Sequence, residues 1–143
     1  MKPPTLLRGA CGVALSALLI GTAVARQGTK MDPDAKTATI EGAVRDVACP
    51  IQNPAGTATR FSPKCALDCV KHGSPIIILT NTGEIYTPIS AGMPDFGQRE
   101  KLMPFVGKYV RATGAVFERK GARAIAITQI RELENVHIDT EGE

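Results

Sequence analysis

Two thiols and an imidazole lie close together in one short segment, Cys65-Ala-Leu-Asp-Cys69-Val-Lys-His72. On a helix, positions i, i+4 and i+7 project toward one side, so the side chains of Cys65, Cys69 and His72 can converge on one point. Thiolates and imidazoles bind metal ions, and a thiolate beside an imidazole can also take part in thiol–disulfide exchange. We therefore expect any chemistry of this chain to be found here.

The flanking residues predict that this segment is helical. Ser62 can cap exposed N–H groups, and Pro63 suits the first helical position, where no amide donor is needed. Gly73 supplies a left-handed stop. The predicted helix therefore covers residues 63–72, preceded by a loop from Cys49 that is rich in Pro, Asn, Gly and Thr.

A metal site is the first hypothesis for the cysteines. Cys49 can fold back from its loop over the helix and bring a third thiol to the other two. Three thiolates and one imidazole form a four-coordinate set that zinc accepts, and soft sulfur ligands also suit Cu(I). The predicted metal ligands are Cys49, Cys65, Cys69 and His72, with zinc or copper as the cofactor.

Two other hypotheses remain open for the same residues. A disulfide from Cys49 to Cys65 or to Cys69 would tie the loop to the helix, stabilise the domain by about 2–4 kcal/mol, and leave one thiol over. Alternatively, His72 could stabilise a thiolate at Cys69 for thiol exchange or peroxide reduction. That third hypothesis lacks an orienting Asp or Asn and a Cys-x-x-Cys motif, so an enzyme is not the expected function.

The N-terminus predicts export. Lys2 and Arg8 form the positively charged region typical of the start of a signal peptide. An apolar stretch follows, and Ala23-Val24-Ala25 is a small-x-small cleavage pattern. We expect residues 1–25 to be a signal peptide and the protein to be periplasmic or extracellular. No segment of the mature chain is apolar for long enough to span a membrane. Removing residues 1–25 lowers the net charge from +3 to +1, which argues against a nucleic-acid partner.

Hydrophobic patterning divides the rest into a flexible leader over residues 26–37, one domain over residues 38–133 and a loose acidic tail over residues 134–143. The domain shows five strand-like segments, with the Cys-bearing helix after the first and a short helix between the third and fourth. This order predicts an OB-like antiparallel barrel. A small open sandwich or a flat α+β sheet are the alternatives.

Two glycines favour the barrel over these alternatives. Gly42 and Gly114 fall inside long strands, where a closed sheet needs sharp curvature. The apolar pattern of the last strand changes phase between Ile127 and Ile130, which predicts a β-bulge.

The cysteine pattern resembles a group of small exported bacterial proteins with an OB-like domain. The resemblance is carried by Cys49, by Cys65-Ala-Leu-Asp-Cys69 and by Gly73-Ser-Pro75 before an apolar strand, with Val106-Gly-Lys-Tyr-Val-Arg-Ala-Thr-Gly114 as a more general OB-like pattern. The group has no settled activity, so the resemblance implies the fold and export rather than a reaction. His72 is not part of the shared pattern.

Together these features predict an exported, non-enzymatic accessory or binding protein of the cell envelope that holds a zinc or copper ion. The alternative is a disulfide-stabilised OB-like interaction module without a metal, and the third candidate is a thiol-redox protein. The expected partner is an envelope protein or a small ligand.

Overall fold

The computed structural model describes residues 35–140. The predicted signal peptide, most of the predicted leader and the last three residues of the predicted tail lie outside these described residues. Within them, no helix is both long and apolar enough to cross a membrane.

Five strands form a closed barrel in the order β1-β2-β3-β5-β4. Their bounds are β1 Lys36–Asp46, β2 Ile76–Thr80, β3 Ile85–Pro88, β4 Tyr109–Arg119 and β5 Ala122–Glu132. Two helices, α1 Ala48–Gln52 and α2 Pro63–Lys71, lie between β1 and β2, and α3 Arg99–Leu102 lies between β3 and β4. The prediction of an OB-like five-stranded barrel is therefore confirmed.

One ladder differs from the all-antiparallel prediction. Strands β3 and β5 run parallel, with Tyr86 opposite Arg123 and Pro88 opposite Ile125. No hairpin joins these two strands, because the chain between them passes through α3 and β4. The barrel closes through this parallel pair, whereas the other four ladders are antiparallel.

The two strand glycines lie where neighbouring strands approach most closely. A side chain at Gly42 would overlap the backbone carbonyl of Leu79, and one at Gly114 would overlap that of Ala126. Only a residue without a Cβ fits such a close approach. Both glycines thus permit the tight curvature of the barrel wall.

The predicted β-bulge is present in β5. Gly114 pairs with Ile127 and Thr113 pairs with Gln129, so Thr128 is the extra residue. Residues of α3 and its N-cap bind the irregular backbone. Lys101 Nζ donates to the Ile127 carbonyl oxygen at 2.7 Å. The Gln98 side-chain amide donates to the same carbonyl oxygen through Nε2 and accepts from the Ile127 N–H through Oε1. A 3₁₀ turn over Met103–Phe105 follows α3, because Pro104 cannot continue the helix.

The core consists of branched aliphatic side chains inside the barrel and beneath α2. Its fully buried members are Val44, Val70, Ile77, Ile78, Leu102, Val110 and Ile125. Ala66 and Val70 are the buried residues of α2, which packs against β1. Because the helices cover the outer face of β1 near its end, residues 42–46 are buried on both faces.

The acidic segment after β5 is not loose where the structure describes it. The N–H of Asp139 donates to the Thr59 carbonyl oxygen at 2.7 Å, and the N–H of Phe61 donates to the Asp139 carbonyl oxygen at 3.1 Å. Val136 and Ile138 pack against the core. These contacts hold the segment against the loop that leads into α2.

Candidate metal centre

Helix α2 presents two of the three thiols. The Ser62 hydroxyl accepts a hydrogen bond from the backbone N–H of Cys65 at 3.0 Å, which is the predicted N-cap. Gly73 adopts the left-handed conformation, with φ of +103°, and ends the helix as predicted. The last helical residue is Lys71, so His72 occupies the C-cap instead of the final turn.

The third thiol belongs to a helix that we did not predict. Residues 48–52 form α1, although the Pro, Asn and Gly content indicated a loop. The Asp46 carboxylate accepts a hydrogen bond from the backbone N–H of Cys49 at 2.7 Å, as a helix-capping residue does. A polar cap therefore fixes the backbone of Cys49, as one fixes that of Cys65.

The structure brings the three sulfurs together. Cys49 Sγ lies 3.8 Å from Cys69 Sγ and 3.9 Å from Cys65 Sγ. All three lie within 4.8 Å of one another, and they form the thiol cluster of this structure. Cys65 is exposed, whereas Cys49 and Cys69 are half-buried.

These spacings suit a single ion bound by all three sulfurs. A tetrahedral zinc with Zn–S bonds of about 2.3 Å holds its sulfurs about 3.8 Å apart. A flat three-coordinate ion with the same bond length, the arrangement open to Cu(I), would hold them about 4.0 Å apart. The observed distances of 3.8 and 3.9 Å fall at these values, and they do not discriminate between the two ions.

None of the three described cysteines is in a disulfide. A disulfide requires an S–S distance of about 2.05 Å, which is well below the two distances from Cys49. Cys49 is nevertheless almost equidistant from the two thiols of α2, so its sulfur does come close to that pair, as both the metal and the disulfide hypotheses require.

His72 lies near the cluster but outside the group of atoms that come within 4.8 Å of one another. Its Nδ1 is 2.8 Å from the Asp68 carbonyl oxygen. A carbonyl can only accept, so Nδ1 carries the proton and Nε2 keeps a free lone pair in the neutral ring. His72, Cys65 and Cys69 line one surface groove. As a metal ligand, His72 remains a prediction.

The environment of the cluster raises the pKa of two of its thiols, those of Cys49 and Cys69. Burial, with a further contribution from Asp46, raises the pKa of the Cys49 thiol to about 12. The hydrogen bond with Cys49 lowers the pKa of Cys69, but burial and the Asp46 charge outweigh it, so the net shift is upward. A thiol that attacks disulfides or peroxides needs a lowered pKa, so these shifts oppose the thiol-redox hypothesis.

Sequence reasoning missed two buried charged residues beside the cluster. Asp46 is fully buried and its Oδ1 has no hydrogen-bond partner, while Arg45 is 3% exposed. The Arg45 guanidinium lies 4.3 Å above the Phe61 ring and donates to the Thr57 carbonyl oxygen. Side chains alternate between the two faces of a strand, so the sequence pattern predicts that one of two adjacent residues is exposed, whereas Arg45 and Asp46 are both buried. One signal for helix α1 was present in the sequence: Asp46 lies three residues before Cys49, which is the spacing at which a side chain can cap the start of a helix.

Comparisons with protein-family models, curated proteins and solved structures found no match to this chain.

Proposed function

We propose that this protein is an exported, non-enzymatic accessory protein of the cell envelope that binds one zinc or copper(I) ion. Cys49, Cys65 and Cys69 supply three thiolate ligands. The observation that carries the proposal is the convergence of three sulfurs from two separate helices, at the spacing that one metal ion requires.

The fourth ligand in this proposal is His72. Metal-ligating histidines commonly donate their second ring N–H to a backbone carbonyl or a carboxylate, and His72 makes such a bond to Asp68. Coordination through Nε2 requires the ring to approach the sulfurs from the groove that it shares with Cys65 and Cys69. The site would then be closed, as structural zinc sites are.

The periplasmic or extracellular location is part of this proposal, and its support is the charged start, apolar stretch and Ala23-Val24-Ala25 of the N-terminus. The proposed partner is an envelope protein or a small ligand. In such a role the ion fixes α1 and α2 against the barrel.

The first experiment measures metal and thiols on one preparation. The purified protein is denatured without reductant, its free thiols are counted, and its zinc and copper are quantified. We expect the three cysteines of residues 26–143 as free thiols, with about one equivalent of metal. One free thiol without metal would refute the metal site and support a disulfide.

The histidine is tested with a matched pair of variants. His72→Ala should weaken zinc binding by at least about tenfold, since one of four ligands is removed. His137→Ala is the control, because His137 is exposed and lies outside the cluster. Equal affinities in the two variants would remove His72 from the ligand set and leave a three-thiolate site.

A disulfide-stabilised interaction module is the second candidate, and the position of Cys49 favours it. A closure of about 1.8 Å would bring its sulfur to bonding distance of either helix thiol. In that case mass spectrometry of the unreduced protein would find Cys49 in a peptide cross-linked to Cys65 or Cys69.

A further inference from the structure

A cavity of about 320 Å³ opens beside the thiol cluster, between α1, the loop over residues 53–62 and the residues after β5. Cys49 and Cys65 form part of its wall. Small-molecule pockets start at about this volume, and they combine an apolar wall with a few polar groups. Here the apolar part includes Phe61, and the polar part includes Arg45 and Arg60.

Arg45 is an unusual residue for such a wall, since a buried guanidinium needs a compensating charge or hydrogen bonds. Its Nη1 donates to the Thr57 carbonyl oxygen at 3.2 Å, and its side chain also interacts with the Cys49 thiol and with the charge of the neighbouring Asp46. Its buried Nε has no hydrogen-bond partner. Within residues 35–140, no carboxylate forms an ion pair with Arg45. Its planar fork is suited to a carboxylate.

The charge of the wall also favours an anion. Arg60 pairs with Asp139, at 3.9 Å between Nε and Oδ2, so the one carboxylate of the wall is engaged. The residues that line the cavity therefore include two arginines and one aspartate, while the carboxylate of Asp46, next to Arg45, is buried outside the lining. The Phe61 ring lies beneath the Arg45 guanidinium and contributes apolar surface to the lining of the same cavity.

We propose that this cavity binds a small organic carboxylate, with the negative group at Arg45 and the apolar body near Phe61. The inference goes beyond the metal proposal and does not depend on it, because no sulfur needs to bind the ligand. A neutral molecule of the same shape gains the apolar contact but not the charge-assisted hydrogen bonds.

The test titrates the protein as purified with benzoate and with the neutral isostere benzamide, using calorimetry or amide NMR shifts. Benzoate should bind at least about tenfold more tightly than benzamide, since hydrogen bonds to charged groups are the stronger ones. Amides of residues 53–62 should show the largest shifts. Equal binding of the two probes, or no binding of benzoate, overturns the proposal.

Two variants locate the site. Arg45→Met should abolish the preference for benzoate. Gly56→Val keeps Arg45 and narrows the cavity, since a Cβ at Gly56 would lie 3.3 Å from the Asn53 carbonyl oxygen and 3.8 Å from Arg45 Nη1. Gly92→Val is its matched control, because a Cβ there meets nothing within 4 Å. If Gly56→Val binds benzoate as tightly as Gly92→Val does, the cavity is not the binding site and the proposal fails.

Discussion

Adding Zn²⁺ to the reduced, metal-free protein is expected to raise its melting temperature, because one ion would cross-link α1 to α2. The two helices are joined by the loop over residues 53–62, and Cys49 is the only proposed ligand outside α2 and its cap. Unfolding separates the Cys49 thiol of α1 from the two thiols of α2. A ligand that binds the folded state alone adds its binding free energy to the stability of that state.

The size of the effect follows from linkage. The sulfurs already stand 3.8 and 3.9 Å apart, close to the tetrahedral spacing, so rearrangement should consume little of the binding free energy. At a free zinc concentration a thousandfold above Kd, the gain is about 4 kcal/mol. For a domain of about 100 residues this corresponds to a rise of roughly 15–30 °C in Tm.

Differential scanning calorimetry over a series of buffered zinc concentrations measures this rise. Each tenfold increase of free zinc above Kd should add about 1.4 kcal/mol. Cys49→Ser should lose most of the shift, because the remaining ligands lie on one helix and its cap, whereas His137→Ala should keep it. A Tm that does not respond to zinc, or a Cys49→Ser protein that responds as the unaltered protein does, would refute the reasoning.

Two further predictions concern the fold. Gly107→Ala should lower the free energy of unfolding, measured with urea, by about 2–5 kcal/mol, because Gly107 has φ of +85° and an added Cβ would lie 2.9 Å from Pro63 Cβ. Gly121→Ala is the control: Gly121 has the same φ but open space around it, so the loss should be only about 1–2 kcal/mol. Equal losses of unfolding free energy in the two variants would exclude a steric role for Pro63. Burial, with the Glu41 charge, raises the pKa of Tyr109. As pH rises, the Tyr109 hydroxyl therefore loses its proton in the unfolded chain before it does so in the folded protein. The contribution of Tyr109 to the free energy of unfolding is full below pH about 10 and is lost as pH rises through the folded pKa. The decline between pH 9 and 11 should be shallower in Tyr109→Phe, and identical declines would contradict the assignment.

Much of the barrel could be predicted from local signals. The alternation in β1, β4 and β5 follows from one face packing on the core, and the change of phase after Ile127 corresponds to the extra residue Thr128. Gly42 and Gly114 revealed where strands approach each other. Ser62 and Gly73 set the ends of α2 to within one residue, because caps act through neighbouring backbone groups.

The remaining features depend on contacts between distant segments. The parallel pairing of β3 with β5 follows from barrel closure, which no local pattern encodes. Arg45 is buried against the distant loop residues Thr57 and Phe61, and the buried Asp46 carboxylate accepts from the Cys49 N–H at the start of α1. The spacing of Cys65 and Cys69 correctly predicted two convergent thiols. Only the tertiary structure places the Cys49 sulfur beside them.

The bonds between Asp139 and the loop residues Thr59 and Phe61 have a practical consequence for anyone preparing this protein. They leave Thr140 on the wall that also contains Cys49 and Cys65. A polyhistidine tag inserted directly after Thr140 would begin at this wall. Its imidazoles would compete for zinc, and nickel from an affinity column would reach the sulfurs, so occupancy assays require tag-free material.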